Sequence, residues 1–258
     1  MRLLQFKLYL ADSLRFTKEV FTGDWSRGGI FLLLCFSSAF FASITNFQPR
    51  FYPAVAPYQW WEWIILVVVW LFIWIIILGY YIRIFRGDTV PSSFMPAGAL
   101  IKDGFVAQIA LLVWAIPFII YEGSILVLHA FYFVWVLDVL WFILFFVAPP
   151  IYFIYANTGE FFQSIRPSKI LSTIQNAGWG NYIIVWPIVA FIFIVIAFFS
   201  FFLNFILVYI LPIRFNPSSN FVILGFFFPI FGVFVAKLFT NVFLNRRGSD
   251  AIRTENGQ

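Results

Sequence analysis

Six apolar runs, at 30–47, 60–82, 105–121, 125–156, 182–211 and 221–244, fill most of this 258-residue chain. A helix that crosses a bilayer needs about 20 mostly apolar residues, because each residue rises only ~1.5 Å through a hydrocarbon layer ~30 Å thick. Inside that layer the backbone must satisfy its own hydrogen bonds, and a helix does so. The runs therefore predict an all-α polytopic membrane protein with about six transmembrane helices. Composition agrees: 63% of the residues are hydrophobic and 10% charged, against roughly 45–50% and 25% in soluble domains. The third run is short and the fourth and fifth are long, so tilt, kinks or protruding ends must absorb the mismatch. Pro149-Pro150 and Pro187 are the expected places.

Charge orients the spans. Of the sixteen Lys and Arg residues, fourteen fall on one side of the arrangement and only Arg50 and Arg214 on the other. Basic residues concentrate in cytoplasmic flanks, so both termini are expected in the cytoplasm of a multi-pass cell-membrane protein. Trp60, Trp61 and Trp63 would open the second span in the outer aromatic belt. The first 28 residues include Asp12, Glu19 and Asp24 and no leading apolar core, unlike a cleaved signal peptide. The first span is thus expected to remain as an anchor. The expected organisation is a cytoplasmic amphipathic segment at 1–28, one membrane domain at 29–244 with inner loops 83–104 and 157–181, and a polar cytoplasmic tail at 245–258. The net charge of +5 follows from this topology and not from a basic stripe, so no nucleic-acid partner is expected. Cys35 is the only cysteine, which excludes an intramolecular disulfide. The 38 Phe residues exceed what span formation requires; bulky packing and drift in codon usage would each produce them.

The stretch "FFQSIRPSKILSTIQNAGWG" (161–180) is too polar to span and too evenly apolar for a plain loop. From Pro167, a favourable first helical residue, Ile170, Leu171, Ile174 and Ala177 recur at helical spacing, with Ser168, Lys169, Ser172 and Thr173 opposite. This pattern predicts a short helix in the inner headgroup plane, with Gly178 and Trp179 turning the chain into the next span. "FMPAGALIKDGF" aligns with it when Pro96 sits on Pro167 and Leu100 on Leu171. Leu3, Phe6, Leu10, Leu14 and Phe21 give a looser third version. Two readings stay open. Either the chain is three hairpins, each preceded by a cytoplasmic interfacial helix, or any inner loop joining two spans becomes amphipathic.

"GYYIRIFRGDTVPSSF" and "IKDGF" within 79–105, and "YANTGEFFQSIRPSKIL" at 155–171, resemble the mainly archaeal integral-membrane family known as domain of unknown function 4013. The shared pattern is a Gly-Tyr-x-x-Arg exit, a Gly-Asp turn, a Pro and an aromatic, then an Asp-Gly approach. The resemblance runs over roughly the whole chain and implies a helical membrane fold without naming an activity. The first loop is less acidic than the family pattern, retaining Asp88 and Asp103, which argues against an acidic binding loop.

Few residues offer chemistry. Asp138 lies in the middle third of the fourth run, where a charged Asp costs about 2.5–3.5 kcal/mol on insertion scales. It is a candidate for proton or cation coupling, or else a protonated packing residue. Lys237 in the sixth run is at comparable depth by residue count, so it either pairs with Asp138 or snorkels to the cytoplasmic surface. Asn204 and Asn241 are candidates for hydrogen bonds between helices. Pro117, Pro187 and Pro229 fall within spans and free carbonyls there. His129 with Glu122 is too small a set for a metal site. No GxxxxGK[ST], HExxH, GxSxG or Cys/His cluster occurs, so no cofactor and no enzyme is expected, a lipid-modifying membrane enzyme with an unusual site being the alternative.

The expected function is a non-enzymatic membrane module, a lipid-interacting scaffold or an accessory subunit. Its partners would be membrane lipids, other membrane subunits or further copies of itself. The alternative is a small-solute or lipid transporter using Asp138. Spans two to four contain few Ser, Thr, Asn or Gln, which disfavours a water-filled path.

Overall fold

The computed structural model describes residues 3–46, 60–87, 94, 96–128, 134–210 and 218–255. Among them the regular structure is helical, with no strand: α1 (Leu3–Thr22), α2 (Trp25–Asn46), α3 (Trp60–Phe85), α4 (Ala97–Leu128), α5 (Val134–Thr158), α6 (Phe161–Ser164), α7 (Pro167–Ala177), α8 (Trp179–Ile210) and α9 (Ser218–Glu255). Among the described residues five stretches are long and apolar enough to cross a membrane: Val67–Phe85, Ala97–Tyr121, Val139–Thr158, Trp179–Leu203 and Phe226–Leu244. The first expected span falls in α2, whose 22 residues reach about 33 Å. The apolar stretch found among its described residues is the shorter Arg27–Ser37. The protein is a polytopic all-α membrane protein.

Contacts fix the directions of the helices. Phe31 of α2 and Tyr80 of α3 meet at 5.4 Å between ring centroids, and Phe36 meets Phe226 of α9 at 4.7 Å. Phe153 of α5 meets Phe243 of α9 at 4.7 Å, and Tyr182 of α8 lies 5.8 Å from the same ring. One end of the bundle thus gathers the start of α2, the end of α3, the end of α5, α7, the start of α8 and the later turns of α9. It also holds Arg83, Arg86, Lys102 and Arg166 and is called the basic end below. α3 packs most extensively on α4, and α2 on α9. At the α3–α4 crossing the backbones nearly touch. A Cβ at Gly104 would fall on the carbonyl oxygen of Ile75 and 2.7 Å from its carbonyl carbon, and one at Gly79 would fall on the carbonyl of Leu100.

Several boundaries differ from the sequence expectation. α4 starts directly after Pro96, whose carbonyl accepts from Leu100 N at 3.3 Å. Residues 97–104 are therefore its first turns and not a separate interfacial helix. Nothing there interrupts a helix, and at its end Lys102 and Asp103 need not enter hydrocarbon. The alignment with 161–180 consequently equates unlike positions. Gly104 is a mid-helix crossing point, whereas Gly178 caps α7 at φ 86°, a backbone region that favours glycine. The expected break between the third and fourth runs is also absent. α4 continues through Glu122, Gly123 and Ser124 to Leu128, and the Ser124 hydroxyl donates to Tyr121 O at 2.7 Å within the helix. Residues 125–128 thus belong to α4, and the next described helix is α5. α5 carries Pro149 and Pro150, α4 Pro117, α8 Pro187 and α9 Pro229 without interruption. α9 also continues through most of the expected polar tail, to Glu255.

α7 coincides with the expected short helix, but its apolar face rests on protein. Ile170, Ile174 and Ala177 are buried in the core, where α7 packs on α5, α8 and α9, while Leu171 and Trp179 face outward. α1 likewise docks on α2 and α9. It buries Ser13, Phe16 and Val20 and leaves the expected Leu14 exposed. Neither helix is a detached interfacial segment, and both belong to one core.

Candidate functional site

At the basic end three helices exchange polar contacts around Asp103 of α4. Arg86, in the turn just after α3, places Nη2 2.6 Å from Asp103 Oδ2, and the Tyr155 hydroxyl of α5 donates to Oδ1 at 3.3 Å. Asp103 is buried and Arg86 partly exposed. The carboxylate is thus held by a charge-assisted hydrogen bond on one oxygen and a neutral one on the other. Around it, buried Arg83 donates from Nη2 to Pro96 O at 3.0 Å, holding the start of α4. Asn157 donates to Phe85 O at 3.3 Å and to Phe153 O at 2.9 Å. Thr240 of α9 donates to Ile84 O at 3.3 Å and to Ala236 O at 2.7 Å. These last two satisfy carbonyls at the end of α3, where intrahelical donors run out. Next to them Tyr80 stacks on Phe94, centroids 4.9 Å apart. Tyr81 crosses to α9, donating to Pro229 O at 2.9 Å.

The chemistry of this cluster is that of a fastener. Both oxygens of Asp103 already accept hydrogen bonds, and the surrounding donors reach main-chain carbonyls of other helices. No group of three or more His, Cys, Asp or Glu suited to a metal ion occurs among the described residues. The charges Arg83 and Arg86 are visible in the sequence as topology markers, and Asp103 as a loop acid. Their convergence was missed because α3, α4 and α5 bring it about. The available signal was the pair of loop motifs "GYYIRIFR" and "IKDGF", which supply Gly79, Tyr80, Arg83, Arg86, Asp103 and Gly104 to one junction.

Of the residues singled out from sequence, Lys237 and Asn241 come together beside Asp12 of α1. Asp138 lies in the first turns of α5, just before the Val139–Thr158 stretch found among the described residues. Asp138 is fifteen residues before Phe153 and Lys237 six before Phe243, which separates them by about 13 Å along parallel axes. The side chain of Asp138 lies outside the described residues, as do those of Asn204, Glu122, Trp60, Trp61 and Trp63 and the whole of Arg50, His129 and Arg214. Lys237 is buried, and the carboxylate beside it belongs to α1: Asp12 Oδ2 stands 3.8 Å from its Nζ. Asn241 hydrogen-bonds between helices as expected, donating to Asp12 Oδ2 at 2.9 Å. Elsewhere on α1 the Glu19 carboxylate, hydrogen-bonded to Arg15 at 2.8 Å, holds that guanidinium above its usual range. Burial raises the Tyr9 phenol.

The glycine crossing, the Asp103 junction and the buried Tyr182 all lie within residues 63–205, which match the model of the family described as protein of unknown function (DUF4013). The match covers more than half of the chain. The protein belongs to the DUF4013 family. No curated protein and no solved structure matches it. In this DUF4013 protein the family stretch takes in α3 to α7 and most of α8, leaving α1, α2 and α9 outside it.

Proposed function

We propose that this DUF4013 protein is a non-enzymatic membrane module that organises lipids or partner subunits, further copies of itself included, around a six-pass bundle. The observation that supports this is the use of polar groups at the basic end. Asp103 is engaged on both oxygens, and Arg83, Asn157 and Thr240 donate to backbone carbonyls. A general acid or base must present a proton position to a substrate, and these groups face one another instead. The outward faces of α4 and α8, with Ile116, Ile119, Ile120, Phe191 and Phe198 exposed, offer apolar area to acyl chains or to another membrane helix. Fourteen of sixteen basic residues on one side favour the basic end and both termini in the cytoplasm, with the bundle in the cell membrane.

The test is purification in a gentle detergent followed by native mass spectrometry of what travels with the protein. Stoichiometric lipid or protein is expected, retained after further detergent exchange. A bare protein that instead carries a solute flux in proteoliposomes, lost in Asp138→Asn, would replace this reading with the transporter.

A further inference from the structure

Pro149 and Pro150 lie inside α5, and both are buried. A proline has no N–H to offer the carbonyl four residues earlier, so Phe145 O and Phe146 O lose their usual partners in the helix. At Phe146 the missing donor is replaced from another helix. The hydroxyl of Tyr182, fully buried in the first turn of α8, donates to that carbonyl.

The two halves of α5 that meet at this step are held differently. After the prolines, Ile151, Phe153, Ile154 and Ala156 are buried in the main core, and Tyr155 and Asn157 bond to α4 and α3. Before them, Val139, Trp141, Phe142, Ile143 and Phe145 are exposed, and Leu144 is buried in a separate small cluster with Ala115 and Phe118 of α4. Among the described residues the backbones of α5 and α8 stay out of close contact. Aromatic rings bridge them, with Phe146 5.7 Å and Phe142 6.4 Å from Trp186 between centroids.

We propose that the Pro149-Pro150 step is a hinge in α5 and that the Tyr182 hydroxyl latches it. With the hydroxyl on Phe146 O, the first half of α5 is held beside α8. Without it, that carbonyl must find a donor within its own helix, since acyl chains offer none. The N–H of Ile151, five residues on, becomes its partner through a π-type turn, and this re-aims the half of the helix that precedes it. Parting the rings costs little, because acyl chains as apolar as the rings refill the gap. The hydrogen bond therefore decides where the first half of α5 stands. Through the Leu144 cluster the neighbouring turns of α4 are drawn along. The hinge goes beyond the scaffold reading above and does not depend on it.

Distances between paired nitroxide labels, measured by electron spin resonance in phosphatidylcholine nanodiscs on a Cys35→Ala background, test the hinge. One pair, Ile143→Cys with Phe191→Cys, joins exposed positions of α5 and α8 beyond the latch. The other, Thr158→Cys with Leu171→Cys, joins exposed positions at the basic end. Tyr182→Phe keeps the ring and removes the hydroxyl. It is expected to raise the fraction of altered distances in the first pair at least threefold and to leave the second pair unchanged. Pro150→Ala returns an N–H to Phe146 O, so adding Tyr182→Phe to it should change nothing further. A wild-type distribution in Tyr182→Phe overturns the hinge. So does an equal shift in both pairs, which would mean that the whole bundle loosens. An undiminished effect of Tyr182→Phe on the Pro150→Ala background overturns it too, because the hydroxyl would then act elsewhere. If Pro150→Ala does not accumulate, the first two comparisons decide.

Discussion

The two halves of α8 are equally greasy and structurally unlike. In its first turns Tyr182, Val185 and Val189 are buried. Tyr182 donates to Phe146 O, and an aromatic group of Phe146, Tyr182, Trp186, Phe239 and Phe243 joins α5, α8 and α9. Further along, Phe191, Phe198, Phe199, Phe201 and Phe202 are exposed, while Phe193 and Phe199 touch α9. In a bilayer, hydrophobicity does not drive helices together, because acyl chains are as apolar as the side chains. Close packing and hydrogen bonds do. The basic end has both, with touching glycine backbones, interlocked rings and the Asp103 junction. The far half of α8 exposes apolar area. A share of the Phe excess is thereby explained as packing at the basic end, while the outward residues are available to lipid or a partner.

If that contrast is right, substitutions should separate sharply by region. The largest effect is expected from Gly104→Ala, because the new methyl meets the backbone of Ile75 and no side-chain rotamer can relieve it. Overpacking of this kind costs about 3 kcal/mol or more where the obstacle cannot yield. Thermal unfolding in detergent, followed by size-exclusion chromatography, should show early loss of the monodisperse peak. Wild-type behaviour would mean that α3 and α4 are not in backbone contact.

Phe239→Ala comes next. The ring is fully buried among Tyr182, Trp186 and Phe243, and its loss leaves a cavity costing about 3 kcal/mol, read in the same assay. Asp103→Asn should cost about 1.5–3 kcal/mol, the range for a hydrogen bond to a charged group. The partly exposed Arg86 can turn to water, which keeps the effect toward the lower end. Adding Arg86→Gln should then cause little further loss, and full additivity would show that the two residues act separately. Phe198→Ala sharpens the comparison from the other side. This exposed residue of α8 should change stability by less than about 0.5 kcal/mol. A large destabilisation in the purified protein would place a partner on that face.

How much of this was legible before the fold is seen element by element. α7 was, because its limits are written locally: Pro167 presets the first turn and Gly178 takes the left-handed cap. Its outward and inward sides were only half legible. Leu171 is as apolar as Ile170, and which of them is buried depends on where α5 and α9 stand. The junction between α4 and α5 was misplaced because Glu122-Gly123-Ser124 looks like a break, yet Ser124 bonds back into its own helix and the helix runs on. Arg86 was read as a topological charge and Asp103 as a loop acid, because seventeen residues separate them in the chain.

The sequence by itself determined the class of the molecule, its helices and the asymmetry of its charge. These depend on the length of apolar runs and on backbone groups that a helix satisfies internally, so they need no knowledge of neighbours. Tertiary structure alone decided which Phe rings form the core and which face outward, that Gly79 and Gly104 bring two backbones together, and that Lys237 meets Asp12 across more than two hundred residues of chain. Packing, ion pairing and hydrogen bonding between helices act over a few ångströms in space, and adjacency of that kind is fixed by how the helices cross.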